Sequence, residues 1–329
     1  MADPKIILAE ISRDLDSRIK LYIKDEHPRN LIEAVRQYPY AGGKRIRPSL
    51  VIASCGAVGG EKSKSIPLAV AIEYIHNFTL IHDDIIDGDR ERRGMPTSHT
   101  KYGTPTAILA GDALFGKAFN VLSELDVSDK DLRRILRSIT AAVWDLARGQ
   151  QMDINNECGR TVTIDDYIET IRLKTGVLFA ASAVGGALIG GADDLTIEAI
   201  CRYATSLGIA FQIFDDILGI AGDPIKTGKS VGNDIRRGKY TAITCHAAES
   251  IKDENEMRRF CSIFGKIDSS EEEIGVVRSI LERSGSIAYA VRLAEKYSKD
   301  AVSELSLLTS SEDKDFMIDL ARYAVTRSV

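Results

Sequence analysis

Apolar residues recur along the chain at helical spacing. Ile6, Ile7, Ile11, Leu15, Ile19, Leu21 and Ile23 follow it near the start, and Leu132, Ile135, Leu136, Ile139, Val143 and Leu146 follow it in mid-chain. Steps of three and four residues gather such positions on one helix face. Sustained period-two runs and Asn-Gly turns are missing, so strands are not expected. The prolines Pro28, Pro48, Pro67, Pro96, Pro105 and Pro224 fall where helices begin or end. The expected loops are Tyr38–Lys44, Gly88–Thr97 and Gly222–Gly238. No low-complexity linker or break in composition interrupts residues 1–329. The pattern predicts an all-α protein, one helical domain over 1–329.

One stretch imitates a membrane span. Thr175–Ala192 carries no charge over 18 residues, near the minimum of roughly 17–25 that crosses a bilayer. Its five glycines and several alanines make it only modestly hydrophobic, so it reads as a close-packed buried helix and the chain as no integral membrane protein. Composition adds little: 44% hydrophobic, 28% charged, net charge −5. That balance argues against nucleic acid or a membrane surface as partner and leaves room for a local basic pocket. Five cysteines without a CxxC pair suit reduced thiols in a cytoplasm.

Chemistry enters with LIHDDIID, Leu80 to Asp87. On a helix Asp83 and Asp87 share a face, and the apolar residues around them make full solvation of the three acids implausible. Two carboxylates on one face suit a hard divalent cation such as Mg²⁺, which accepts oxygen ligands and keeps positions for water or phosphate. A second pair, Asp215 and Asp216 in FQIFDDILGIAGD, also ends an apolar helix, where the negative end of the dipole disfavours acids. The pairs stand 132 residues apart, each followed by Gly-Asp and a basic loop. In the second pair the position four after Asp215 is Gly219, and Asp223 is its nearest substitute.

Basic groups fall in four segments: GGKRIRP with Lys44, Arg45 and Arg47; ERRG with Arg92 and Arg93; LKTG with Lys174 and Thr175; and a late loop with Lys226, Lys229, Arg236, Arg237 and Lys239. Any one alone is an ordinary solvated loop. Beside metal-type aspartates they suit a polyanion such as a diphosphate. GDPIKTGKS has one residue too many between its glycines for a P-loop and follows a helix. Asn77-Phe78-Thr79 matches a glycosylation pattern but lies within an expected buried helix. His82 is one residue off the aspartate face, whereas His76, seven before Asp83, is nearly on it.

Taken in order, GGKRIRP, EYIHNFTLIHDDIIDGDRERRGMPT, RGQQMD, LKTG, FQIFDDIL and GKSVGNDIRRGK make the chain resemble the trans-isoprenyl diphosphate synthases, most closely the archaeal geranylgeranyl diphosphate type. The resemblance implies a single large helical bundle around a central elongated cavity, the isoprenoid synthase fold, in a cytoplasmic homodimer. It implies head-to-tail addition of isopentenyl diphosphate to an allylic diphosphate (dimethylallyl, geranyl or farnesyl), with Mg²⁺, three ions once diphosphate is bound. Asp83, Asp87 and Asp84 are then metal residues on the allylic diphosphate, with Asp215 holding metal from the opposite side. Arg92, Lys174, Thr175, Gln212, Lys229 and Lys239 become the allylic site, of which Lys174, Thr175 and Gln212 bear on catalysis. Lys44, Arg47, His76 and Arg93 become the isopentenyl diphosphate site, and Gln150 and Asp153 support the metals. Gly219 departs from a family motif that often ends in a third aspartate, which puts metal affinity or pre-organisation at issue.

In the same family, bulky residues just before the first motif floor the cavity. Phe78 and Thr79 occupy those places here, a combination that resembles enzymes making geranylgeranyl diphosphate. On a helical wheel Thr79 lies near the Asp83 face while Phe78 is displaced by roughly 140°, so a core-packing Phe78 is the competing reading. The other functional readings are a farnesyl or mixed-product synthase, a terpene cyclase, and a non-catalytic subunit of a heteromeric synthase. Lys44, Arg47 and Arg93 argue against the cyclase, and the retained acids argue against the subunit.

Overall fold

The computed structural model describes residues 4–156, 162–222 and 232–326. Among them the chain is helical almost throughout, as the apolar spacing predicts; the one sheet is a hairpin of two-residue strands, β1 (Glu91–Arg92) and β2 (Met95–Pro96). Its turn is Arg93-Gly94, with φ of 55° and 73°. Two successive positive φ values are what a tight two-residue hairpin turn requires, and Arg-Gly supplies them without the Asn-Gly signature. Backbone contacts divide the chain into two compact units: Met1–Ile139 with Ala181–Cys201 and Leu307–Asp319, and Thr140–Ala180 with Arg202–Ser306 and Leu320–Val329.

The first unit contains α1 (Pro4–Tyr22), α2 (Arg29–Tyr40), α3 (Ile46–Ala57), α4 (Ile66–Asp87), the hairpin, α5 (Ser98–Tyr102) and α6 (Thr104–Leu122). α4 packs against α1, α2, α3 and α6. Leu68, Val70, Ile72, Tyr74, Ile75 and Ile81 along it have no exposed surface. Pro67 stands in its first turn, where a missing N–H costs nothing. Gly88, at φ 66°, ends it directly after Asp87, and the Asp89 N–H donates back to Asp84 O at 3.0 Å. On α1 the buried face is Leu8, Leu15 and Ile19, while Ile6 and Leu21 face solvent, so the apolar spacing was too inclusive there. α2 also runs three residues into the expected loop Tyr38–Lys44, to Tyr40, because Pro39 falls in the last turn, where few helical bonds remain to lose.

The uncharged stretch resolves as a buried helix. α9 (Val177–Ile189) needs its glycines for close approach: a Cβ on Gly186 would lie 2.1 Å from the Val51 carbonyl oxygen, and one on Gly185 2.5 Å from Leu68. Both partners belong to the first unit; Gly186 lets the helix backbone approach that of Val51, and Gly185 makes room for the Leu68 side chain. Among the described residues two helices, Ile164–Ile189 and Asp194–Ala221, are long and apolar enough to span a bilayer, and more than half of the most apolar stretch of each is buried inside the protein.

The second unit holds α8 (Ile164–Ile171), much of α10 (Asp194–Ala221), a short α11 (Asn233–Arg236) and the later helices Ala242–Ser250, Glu271–Arg283 and Ser286–Glu304. Their apolar faces meet in one core built on Tyr167, Ile213, Ile217, Ile243, Val277 and Leu281. Thr163 starts α8 with a capping box: its hydroxyl accepts from the Asp166 N–H and its own N–H reaches the Asp166 carboxylate, both at 3.1 Å. Between α8 and α9, Arg172–Gly176 forms a π-helical turn, and the Val177 N–H reaches back five residues to Arg172 O. A turn this wide inside an α-helix commonly marks a functional position.

Candidate active site

In the first unit, Asp83 and Asp87 lie one turn apart on the last turns of α4, both half-buried. Asp84, between them, is 1% exposed and committed elsewhere. Its oxygens accept from the Tyr38 hydroxyl and from Arg92, whose Nε stands at 2.8 and 3.0 Å and Nη2 at 2.5 Å. The Arg93-Gly94 turn folds Arg92 back onto that carboxylate. Burial and the neighbouring Asp84 push the Tyr38 phenol up, so it remains a donor. Among the described residues no three His, Cys, Asp or Glu side chains converge on one point. The donor set therefore fits a hard cation that takes one or two carboxylates and completes its shell with water or phosphate oxygens, as Mg²⁺ does.

The GGKRIRP turn lies in the same unit. Arg93 Nη1 donates to Gly42 O at 2.6 Å, and a Cβ on Gly43 would stand 3.0 Å from that nitrogen. Ser12 Oγ donates to Gly43 O at 2.9 Å. Arg47 Nη1 lies 3.2 Å from His76 Nε2. Because the arginine can only donate, that nitrogen accepts and the proton sits on Nδ1. Burial, helped by Arg47, Arg93, Arg92 and Arg45, holds His76 well below its usual range, so it is neutral. Arg47, His76 and Arg93 thus gather at one turn, with exposed Lys44 beside them. His82 goes elsewhere: it packs on Gly111 of α6, with Nε2 3.3 Å from Ile108 O, which removes it from the metal question.

The second unit repeats the first pairing with different parts. Asp215 is half-buried, while Asp216 is 4% exposed. Asp216 accepts from the Tyr167 hydroxyl at 2.6 Å and from Gln212 Nε2 at 3.0 Å, and Lys239 Nζ stands 3.5 Å away. Burial pushes its carboxyl up and Asp234 adds to that, against Lys239 and the two hydrogen bonds. Gln212 in turn accepts the Thr175 hydroxyl at 2.9 Å. Lys174 Nζ pairs with Asp153 at 2.5 Å; burial would raise that carboxyl, but Lys174 and Lys239 hold it below its usual range. Gly149 lets α7 (Asp129–Asn156) press on the π turn: a Cβ there would meet the Lys174 backbone nitrogen at 2.4 Å. Gln150 is buried, and its Oε1 has no hydrogen-bond partner among the described residues.

Sequence reasoning missed Tyr38, Tyr167 and Asp234, because a lone tyrosine far along the chain carries no local signal. Asp234 shows itself only in the structure: a Cβ on Gly219 would lie 2.7 Å from its Oδ2, so its carboxylate already occupies the space beside the glycine. The Gly232 N–H to Gly219 O bond of 3.0 Å fixes that approach. Asp223, Lys226 and Lys229 lie outside the described residues. Phe78 packs on α6, its ring centroid 4.9 Å from that of His82 and 5.2 Å from that of Phe115, which meets Phe119 at 5.1 Å. The Thr79 hydroxyl donates to His76 O at 2.8 Å.

With this geometry in hand, comparison with known proteins is direct. Residues 28–281 match the polyprenyl synthetase family model. The chain is 37% identical over 317 residues to the geranylgeranyl diphosphate synthase of Methanosarcina mazei, covering 96% of this chain and 95% of that protein. A geranylfarnesyl diphosphate synthase of Aeropyrum pernix is 38% identical over 294 residues, 87% of this chain and 91% of its own. The crystal structure of the geranylgeranyl pyrophosphate synthetase from Pyrococcus horikoshii superposes with a TM-score of 0.92 at 42% identity, over 98% of each chain. The fold is the all-α isoprenoid synthase fold.

Proposed function

The chain belongs to the polyprenyl synthetase family and is a trans-prenyltransferase, and we propose that it condenses isopentenyl diphosphate with allylic diphosphates, giving geranylgeranyl diphosphate as its main product. One observation carries this reading. α4 bears both the Asp83–Asp87 face and His76, which meets Arg47 in the first turn of α3, directly after the glycine turn. A single rigid helix thus joins a metal-type face to a basic, anion-type cluster.

Asp83 and Asp87 would hold Mg²⁺ on the allylic diphosphate, Asp215 a further ion, and three ions in all would attend the bound diphosphate. When bound, the metal neutralises the departing diphosphate. On the family pattern Arg92, Lys174, Lys229 and Lys239 add positive charge to the same leaving group. Asp84 holds Arg92, Asp216 holds Lys239 and Asp153 holds Lys174, so Asp84 and Asp216 serve these cations instead of metal. Thr175 spends its hydroxyl proton on Gln212 and so turns oxygen lone pairs, not a proton, toward a carbon that becomes positive. Lys44, Arg47, His76 and Arg93 hold isopentenyl diphosphate, whose double bond attacks that carbon. The proton lost afterwards goes to the released diphosphate, as no side-chain base stands out.

The apolar residues of α4 before Asp83 would wall the growing chain, with Phe78 and Thr79 setting its length. Exposed Ile108 and Leu109 on α6 favour a homodimer, and the cysteine usage suits the cytoplasm. Incubating the purified chain with labelled isopentenyl diphosphate and each allylic primer tests the reading. A twenty-carbon main product is expected. A fifteen-carbon product would give the farnesyl reading, a longer one the product in the Aeropyrum relative's name, and no condensation would sink the assignment.

A further inference from the structure

GGKRIRP presents three cations, and the structure gives them different fates. Lys44 is exposed and Arg47 half-buried, but Arg45 is 3% exposed and its guanidinium has no exposed surface. Its backbone is left-handed, with φ 44° and ψ 39°, immediately before α3. Such a conformation is uncommon for a residue with a Cβ and is kept only where the surroundings fix it. Here three elements do so. Nε and Nη2 reach Asp16 of α1 at 3.0 and 2.7 Å; Nη2 also reaches the carbonyl of Pro39, in α2, at 2.6 Å; and Nη1 meets Glu73 of α4. Glu73 is itself held by Asn77 Nδ2 at 2.8 Å. Both carboxylates keep the guanidinium charged against the pull of burial.

We propose that Arg45 is a positioning residue for isopentenyl diphosphate: its buried fork pins the glycine turn to α1, α2 and α4 and thereby sets where Lys44 and Arg47 present their charge. The fork holds the turn to α4, the helix that carries His76, Asp83 and Asp87. Arg45 therefore fixes one substrate's cations relative to the first aspartate motif while touching neither. The planar guanidinium does this by spreading its N–H groups over Asp16, Glu73 and Pro39 at once, a fixed fan of donors that a lysine's single ammonium cannot reproduce. This inference rests on the assignment of Lys44 and Arg47 to isopentenyl diphosphate.

The test compares Arg45→Lys, Asp16→Ala and the paired Arg45→Met/Glu73→Gln, each with melting curves and steady-state kinetics in both substrates. Asp16 is partly exposed and Glu73 stays paired with the buried guanidinium, so truncating Asp16 loosens the fork without stranding a buried charge. The paired variant removes both buried charges together. The KM for isopentenyl diphosphate should rise about tenfold in Arg45→Lys and the pair, and roughly threefold in Asp16→Ala. The allylic KM and kcat should stay within about twofold. A role confined to folding would move both KM values and kcat together with the melting temperature, and that result, or an unchanged KM for isopentenyl diphosphate in Asp16→Ala and whichever other variants fold, overturns the proposal. Calorimetric binding of isopentenyl diphosphate to Arg47→Ala separates the two layers. If binding survives there, the site assignment falls and the inference with it. If binding is lost there but the Arg45 set is unaffected, only the inference falls.

Discussion

Thr175 donates its hydroxyl proton to Gln212 at 2.9 Å, and Gln212 cannot reverse that bond, because its own amide nitrogen is tied to Asp216 at 3.0 Å. The buried carboxylate thus orients an amide, and the amide orients a hydroxyl. Asp216→Asn can present an amide nitrogen to Gln212 and permit the flip. We expect kcat to fall about tenfold with a small change in the allylic KM, because a dipole seen mainly in the transition state has turned. Steady-state kinetics against the allylic substrate check this; a change confined to KM would contradict it.

Asp83→Ala should leave the fold intact and lower condensation by at least about a hundredfold at saturating Mg²⁺. Asp83 is half-buried in the last turns of α4, where truncation to alanine keeps the helix and removes no apolar packing. Turnover near that of the parent would refute its metal role.

Gly219→Asp restores a third aspartate on paper and should harm the protein. The new side chain begins 2.7 Å from Asp234 Oδ2 and brings a second carboxylate beside it. A loss of about 1–3 kcal/mol in unfolding free energy is expected. Asp234→Gly should recover much of it in the double variant, and additive losses in that cycle would show the two positions to be uncoupled.

Phe78→Ala should lengthen the product, and Phe115→Ala should do so as well, since Phe78 leans on Phe115 and Phe115 on Phe119. Chromatography of dephosphorylated products gives the chain length directly. If only Phe78 matters, the α6 aromatics serve packing alone.

His76 gives a pH dependence. Burial and four arginines depress its folded value below the unfolded one of about 6.5. The unfolded chain therefore binds the extra proton first as pH falls. The stability tied to neutral His76 is full above about pH 6.5 and is lost as pH falls through the depressed folded value. Urea midpoints at pH 7 and pH 5 should differ less in His76→Gln than in the parent. Equal differences would mean that His76 charges as freely folded as unfolded.

The residues legible in the sequence were those whose signal is local. Asp83 and Asp87 announce themselves by helical spacing, and Gly88 by ending the helix after them. The expected all-α character followed from period alone. Asp84 and Asp216 were not legible as a different kind of aspartate, because their partners Tyr38 and Tyr167 lie 46 and 49 residues away. Arg45 read as one more phosphate cation, since nothing in GGKRIRP tells which of its three bases turns inward. Phe78 is the instructive case: the wheel displaced it from the aspartate face, and it does pack on α6, so its distance from the motif in sequence said little about its direction.

The π turn at Arg172–Gly176 sets a phase that the rest of its helix inherits. One extra residue is absorbed there, so every side chain from Val177 onward is rotated by about 100° from where an unbroken α-helix would carry it. Gly185 and Gly186 owe their aim at Leu68 and Val51 to that insertion as much as to their own identity. A deletion of one residue within LKTG would make a more regular helix. It would also swing two glycine notches away from the Val51 backbone and the Leu68 side chain that they admit.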